Sequence, residues 1–372
     1  MSYNDAWQNH PDGPTPFSVD NIDSGWSGTL GAFDIAALQN RYGVINPYAQ
    51  GNTVYELGDN NDPGVYYETI WDTGGWDTIE YNGARDARID LMAATLDYTP
   101  TGGGVVSFVD DVFGGYTIAK VVVIEQGAGG SGNDIILGNE ANNHLYGNDG
   151  DDFLMGRGGG DRIDGGNGID TVSYMDSESG VSVSIGNGGA GLGFGGDAEG
   201  DYITDVEILQ GSHHDDVLIG GTKTIRIEGL GGDDYIDGGN GDDDIDGGDG
   251  DDTIDGSNGK DILNGGAGND IYTGGNGKDV FVFSETGGSD IITDFKRKND
   301  SIDISEIDAI DGGADDAFNW IGSSGFSGTA GELRSYGSFG DYFVEGDTNG
   351  DGVADFTIQT NILIQQGDFL SM

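Results

Sequence analysis

The chain has 372 residues, 14 of them basic and 67 acidic, for a formal net charge of −53, with 73 glycines and no cysteine. So anionic a balance argues against nucleic acid and anionic membrane surfaces as partners and favours cations. Without cysteine there are no disulfides and no thiolate-bound zinc.

The opening "MSYNDAWQNHPDG" lacks the basic and apolar regions of an ordinary N-terminal export signal, and no run of about 18 apolar residues exists to cross a membrane as a helix. Further on, "GAFDIAALQNRYG" sets Phe33, Ile35, Ala36, Leu38 and Tyr42 mainly on one helical face, with Gly43 as its C-cap. Next comes "WDTGGWDT", which pairs Asp72 and Asp77 across two glycines; Trp71 and Trp76 read as core packing.

From Gly129 to Ser173, and again from Gly211 to Val282, a nine-residue frame repeats, five phrases and then eight. Position 1 is always Gly. Position 8 is always large and apolar: Ile136, Leu145, Leu154, Ile163 and Val172, then Leu218, Ile227, Ile236, Ile245, Ile254, Leu263, Tyr272 and Phe281. Position 6 is Asp in eleven of the thirteen phrases, Asn143 and Ile225 being the exceptions. A disordered acidic tail has no need of a registered apolar column. The frame therefore predicts a six-residue glycine-rich turn and a three-residue strand per phrase, with alternate phrases stacking into two parallel sheets. Same-side turns then lie two phrases apart. Carbonyls and carboxylates of two stacked turns form a six-oxygen cage suited to a hard cation at about 2.3–2.6 Å, calcium rather than magnesium.

Between the blocks, residues 174–210 break the frame, and "VSVSI" and "DYITDVEIL" read as strands of an inserted hairpin-like excursion. After the second block, the last two turns have no successor two phrases on and need a cap. "EGDTNGDGVADF" then offers Asp347, Asn349, Asp351 and Asp355 at EF-hand-like odd spacing, a candidate calcium site, but Ile358 stands where a bidentate Glu belongs. The final "FTIQTNILIQQGDFLSM" is strand-like.

The frame G-G-x-G-x-D-x-U-x resembles the RTX calcium-binding nonapeptide repeat. That resemblance implies a parallel β-roll with calcium held by carbonyls at positions 2 and 4 and the carboxylate at position 6. In the first block these are Gly130, Gly132 and Asp134; Asn148, Gly150 and Asp152; Gly159 and Asp161; and Gly166, Gly168 and Asp170. In the second they are Asp216; Gly232 and Asp234; Gly239, Gly241 and Asp243; and Gly248, Gly250 and Asp252. Gly259 and Asp261, then Gly266, Gly268 and Asp270, then Gly275, Gly277 and Asp279 complete the set. The phrases "GNEANNHLY" and "GGTKTIRIE" lack the acid, so sites on those turns are expected to be doubtful or empty.

The succession of "MSY", the amphipathic helix, "GNTVYELGDN…WDTGGWDTIEYNG" and the repeats resembles the serralysin family of secreted zinc metalloproteases from its Met-turn onward. By that resemblance Tyr3 is an additional zinc ligand, and Asp72, Gly74, Gly75, Asp77 and Glu125 are calcium ligands leading into the roll. "SDIITDFKRKNDSIDISEID" resembles the family's capping segment, so Asp290 is implied as the capping ligand and Glu285 stands in for a second. The C-terminus resembles an uncleaved type I secretion signal, implying a type I secretion transporter as partner. The family's H-E-x-x-H-x-x-G-x-x-H is absent: none of His10, His144, His213 and His214 precedes a Glu, and His213 and His214 would alternate on a strand. This chain is therefore expected to be inactive as a peptidase.

The expected fold class is mainly β: a parallel β-roll in two blocks with an inserted β excursion, a short helical remnant of a metzincin catalytic domain and a β-rich C-terminal cap. The expected divisions are 1–46 for the peptidase remnant, 47–128 for a β linker, 129–173 and 211–282 for the roll, 174–210 for the insertion and 283–372 for the cap. The resulting function is a secreted, extracellular calcium-binding module that folds after export and stabilises the peptidase domain; zinc would be needed only in a full-length parent. A chain starting at the Met-turn reads as a serralysin cut at that point. A stand-alone, non-enzymatic RTX surface or matrix protein is the alternative.

Overall fold

In each nine-residue phrase the chain turns and then crosses the molecule once as a short strand, so successive phrases alternate between two parallel sheets. The computed structural model describes residues 51–61, 67–72, 74–96, 104–186, 190–310, 312 and 316–371. Tyr3, His10 and the expected helix lie outside them. Among the described residues there is no α-helix, and no helix long and apolar enough to cross a membrane. These residues fall into two compact units, the first reaching to Ser173 and including Ala198–Val206, the second made of Tyr174–Asp197 and everything from Glu207 onward.

In the first unit, Ile135–Leu137, Phe153–Met155 and Thr171–Ser173 pair in parallel, each two phrases after the last. The opposite sheet runs from Val54–Glu56 through Thr78–Glu80, Gln126–Ala128, His144–Asp149 and Arg162–Asn167 to Tyr202–Thr204. In the second unit, Val217–Ile219, Tyr235–Asp237, Thr253–Asp255 and Ile271–Thr273 form one sheet. Arg226–Gly231, Asp244–Asp249, Ile262–Ala267 and Val280–Val282 form the other.

The residue that points inward in every repeat strand is position 8. All thirteen position-8 residues are essentially buried, at 0–1 % exposure. They stack in columns such as Leu218, Ile236, Ile254 and Tyr272, and removing such apolar area from water is the main favourable contribution to folding.

The hairpin of the insertion differs from the expected one: Ser182–Ile185 pairs with Ala190–Phe194, and "DYITDVEIL" is split into two strands, Tyr202–Thr204 and Ile208–Gln210, that pair in parallel elsewhere. The insertion also supplies rungs: Ser182–Ile185 lies parallel to Val217–Ile219, and Ile208–Gln210 to Arg226–Glu228. Tyr202–Thr204 continues the first unit's sheet beside Arg162–Asp164, after a much longer step along the chain than the repeat allows.

At the C-terminal end the spacing stretches. Ile271 faces Ile291 and Val280 faces Ser301, each pairing slightly wider than two phrases. The strand Ser289–Ile292 is covered by Phe356–Thr360, which belongs to an antiparallel meander with Glu332–Ser338 and Asp341–Asp347. Ser301–Asp303 is covered by Phe369–Ser371.

Candidate metal centre

The position-6 aspartates stack into ladders. Each side chain is buried at 0–2 % exposure, and its Oδ1 accepts the backbone N–H of the residue one rung back. In the first unit Asp134 accepts from Ala87 at 2.6 Å, Asp152 from Asp134 at 2.7 Å and Asp170 from Asp152 at 2.9 Å. In the second unit one ladder runs from Val181 through Asp216, Asp234, Asp252 and Asp270. Its opposite runs from Ile225 through Asp243 and Asp261 to Asp279. One oxygen of each carboxylate is thereby spent on holding register.

The other oxygen is the informative one. Among the described residues, Oδ2 of Asp77, Asp152, Asp234, Asp243, Asp252, Asp261 and Asp279 is buried and accepts no hydrogen bond. A buried carboxylate oxygen without a partner is costly and calls for a counter-charge. Burial, opposed by the accepted amides and reinforced by neighbouring aspartates, pushes Asp234 up to about 8. It pushes Asp152, Asp252 and Asp261 to about 7, and Asp243 and Asp279 to about 6.

The glycines let the turns approach. Gly250 has φ +142°, and a Cβ there would overlap the carbonyl oxygen of Gly232, its counterpart one same-side turn earlier. Gly268 meets Gly250 in the same way. A column of carbonyls thus runs beside each column of carboxylates. Asn148, at position 2, adopts φ +79° and its amide donates to the Gly129 carbonyl at 2.7 Å.

Hard oxygen donors, buried negative charge and carbonyl-rich turns suit calcium, which takes six to eight oxygens in flexible geometry. The residues present fit that ion. No three His, Cys, Asp or Glu side chains converge as a metal site among the described residues. In the regular turns the position-6 carboxylate is buried, while the position-5 acids Asp233, Asp242 and Asp251 are exposed.

Asp72, Gly74, Gly75, Asp77 and Glu125 are neighbours linked through backbone N–H groups, but their three carboxylates do not converge as a metal site. Asp77 Oδ1 accepts the Thr53 N–H at 2.8 Å, and Glu125 Oε2 accepts the Asp77 N–H at 2.8 Å. Gly74 donates to Asp72 Oδ1 at 3.2 Å, and the Tyr55 hydroxyl donates to Asp72 Oδ2 at 2.7 Å. Burial comes first in raising the Asp77 and Glu125 carboxyls, with the mutual repulsion of these acids adding to it. Trp76, expected in the core, is 37 % exposed and packs edge-on against His144 with ring centroids 4.8 Å apart.

The phrases without the acid close by other means. Asn143 Oδ1 accepts the Asn139 N–H at 2.7 Å, while its amide donates to the Ile124 carbonyl at 3.2 Å. His213 and His214 are exposed and lie in a turn rather than a strand, because the strand of that phrase begins only at Val217. Asp347 and Asp355 accept N–H groups of their own loop, from Gly350 and Gly352 and from Thr348 respectively. Asn349 donates to Asp355 Oδ1 at 2.6 Å, and the Asp351 N–H bonds back to Asn349. Ile358 is fully buried in the following strand.

At the ends of the ladders, Asp290 accepts the Asp270 N–H at 3.0 Å. Glu285, expected as the second cap, is exposed instead; Asp300 takes that place and accepts the Asp279 N–H at 3.4 Å. Asp201, inside the insertion and fully buried, accepts the Asp161 N–H at 2.7 Å, as Asp161 accepts that of Asn143 at 2.7 Å. Neither Asp201 nor Asp300 obeys the nine-residue count. Both carry the local signal Asp-x-apolar, in Asp201-Tyr202-Ile203 and Asp300-Ser301-Ile302, as do Asp77-Thr78-Ile79 and Asp290-Ile291-Ile292.

Within these parallel two-sheet stacks with carboxylate ladders, an architecture consistent with a β-roll, residues 226–254 and 246–281 match the RTX calcium-binding nonapeptide repeat. Residues 48–185 match the family described as Peptidase M10 serralysin C terminal, so the chain carries a serralysin-type C-terminal region with RTX repeats. It is 38 % identical over 118 residues to a serralysin of Photorhabdus laumondii, covering 29 % of this chain and 22 % of that protein. It is 39 % identical over 114 residues to serralysin B of Dickeya chrysanthemi and 37 % over 116 to metalloprotease AprA of Pseudomonas entomophila, each match covering 28 % of this chain and 22 % of the relative. The chain thus spans about a fifth of the length of these relatives. A solved structure of the extracellular lipase LipA from Serratia marcescens aligns over 72 % of this chain and 44 % of its own, with 16 % identity and a TM-score of 0.21.

Proposed function

We propose that this chain is the secreted calcium-binding module of a serralysin-like zinc metalloendopeptidase. On this reading it is exported unfolded through a type I transporter, folds when it meets extracellular calcium and stabilises the peptidase half. The observation that carries the reading is the row of buried, unpartnered Oδ2 atoms beside a column of turn carbonyls. Bound calcium supplies the positive charge that those oxygens require. The chain's own residues do the rest: Oδ1 atoms fix the rungs, glycines admit the carbonyls, and position-8 side chains make the core.

The ligand sets of both blocks apart from the last turn (Gly275, Gly277 and Asp279), together with Asp290 as a cap and the group from Asp72 to Glu125, belong to this proposal. The group from Asp347 to Asp355 does not, since its carboxylates are already engaged within their own loop. The sequence contains no H-E-x-x-H, so zinc, with Tyr3 as a ligand, enters only where an upstream half supplies the histidines.

The test is a titration of the purified chain from EGTA into CaCl₂, followed by circular dichroism and hydrodynamic radius. The expected result is an expanded chain of low residual structure and low melting temperature in EGTA that compacts, gains β signal and melts higher as calcium rises. Equal compactness and equal melting temperature at both ends of the titration would overturn the proposal.

A further inference from the structure

The two ladders of the second unit end differently. The one through Asp252 and Asp270 finishes on Asp290, and no cationic side chain among the described residues bonds to Asp270 or Asp290. The one through Asp261 and Asp279 finishes on Asp300, and here the Lys296 ammonium enters the last turn. It donates to the Gly275 carbonyl and to Asp294 Oδ2, the latter at 2.8 Å.

Gly275 occupies position 2 of the last phrase, one of the carbonyls assigned to a cation. Asp294 is itself fastened to that turn, accepting the N–H groups of Gly274 at 2.8 Å and Gly275 at 3.1 Å. The backbone of Lys296 is fixed as well: its N–H donates to Asp300 Oδ2 at 2.7 Å, and its carbonyl accepts from Asn299 and Asp300, each at 3.0 Å. One residue therefore ties the capping carboxylate with its backbone and brings its charge to the carbonyl and carboxylate of the turn. Asp279, Asp294 and Asp300 all act on that charge. A charge-assisted contact of this kind is stronger than a neutral one and needs no ion from solution.

We propose that Lys296 is a tethered cation that closes the terminal cage of this ladder in place of a calcium ion, leaving the Asp290 end dependent on calcium and the Asp300 end independent of it. The proposal rests on the calcium reading of the cages. It makes the Asp300 end the part of the roll that can assemble before calcium arrives.

The experiment compares the full chain with Lys296→Met and Lys296→Arg. Bound calcium is counted by equilibrium dialysis and elemental analysis at saturating CaCl₂, and melting is followed in EGTA. Lys296→Met is expected to bind one more calcium than the parent and to lose residual structure in EGTA, while Lys296→Arg keeps the parental count. Equal, non-zero counts in parent and Lys296→Met overturn the proposal and leave the calcium reading intact. No calcium on either protein overturns the calcium reading itself. Should Lys296→Met not fold, amine labelling of the calcium-loaded parent decides: Lys296 reacting several-fold more slowly than exposed Lys298 supports the proposal, and equal reactivity overturns it.

Discussion

Asp252 shows what each rung asks of a single side chain. Its Oδ1 accepts the Asp234 N–H at 2.8 Å, a bond that an asparagine oxygen can also accept, whereas its unpartnered Oδ2 repels its neighbours unless a cation is present. Asp252→Asn should therefore change sign with conditions. In EGTA it is expected to raise the melting temperature, and in millimolar CaCl₂ to lower stability by about 1–3 kcal/mol, the scale of a lost charged contact. Thermal unfolding in the two buffers checks both. The pH dependence follows from the same carboxyls. Their folded values are raised to about 6–8 at Asp152, Asp234, Asp243, Asp252, Asp261 and Asp279, so between pH 4 and 8 the native state binds more protons than the unfolded one. Their contribution is present at pH 4 and lost as pH rises through 6–8. Without calcium, the melting temperature should fall as pH climbs from 5 to 8; with calcium, which competes with the protons, the trend should flatten or reverse. A calcium-free chain that becomes more stable toward pH 8 would contradict the burial of these acids.

Among the elements, the insertion is the sharper case. Its Asp201 belongs to a ladder as fully as any repeat aspartate, while Asp176, in the same insertion, is exposed. Asp201→Ala should destabilise the calcium-loaded first unit by about 1–3 kcal/mol, and Asp176→Ala should leave it nearly unchanged. Hydrogen exchange at the Asp161 amide reads the difference. The position-8 column revealed the core at every regular rung, because an inward residue in every repeat strand is a constraint that admits no polar substitute. Asp201 and Asp300 were not legible by counting, since turns of other lengths interrupt the period between Asp161 and Asp201 and between Asp279 and Asp300. The Asp-x-apolar triplet survives such interruptions, because the buried acid and the inward side chain are set by the strand and not by the turn. Lys296 lay beyond either pattern: its role depends on a side chain reaching back to Gly275, in the last turn of the repeat.

For the whole molecule the balance is between self-repulsion and cation binding. A net charge of −53 on 372 residues opposes compaction. A site whose dissociation constant equals the ambient calcium concentration contributes roughly 0.4 kcal/mol, and about 1.4 kcal/mol at tenfold excess. About ten such sites would contribute roughly 4–14 kcal/mol, the size of a domain's entire stability. Screening alone should not substitute. Dynamic light scattering in EGTA with about 0.5 M NaCl is expected to show only partial contraction, and magnesium at the calcium midpoint should do no better, given its demand for tight octahedral geometry. Full compaction by salt alone would show that a diffuse ion atmosphere suffices.

The C-terminal strands have a consequence of another kind. A stack of identical parallel rungs is an open template, and its last strand offers unpaired N–H and C=O groups to any similar chain. Here Phe356–Thr360 lies along one such strand and Phe369–Ser371 along the other, the first of them held in a meander whose own strands run antiparallel. On the Ser289–Ile292 side a second roll arriving at this end meets a meander of antiparallel strands in place of another repeat rung, whereas on the other side Phe369–Ser371 is itself the last parallel strand of its sheet.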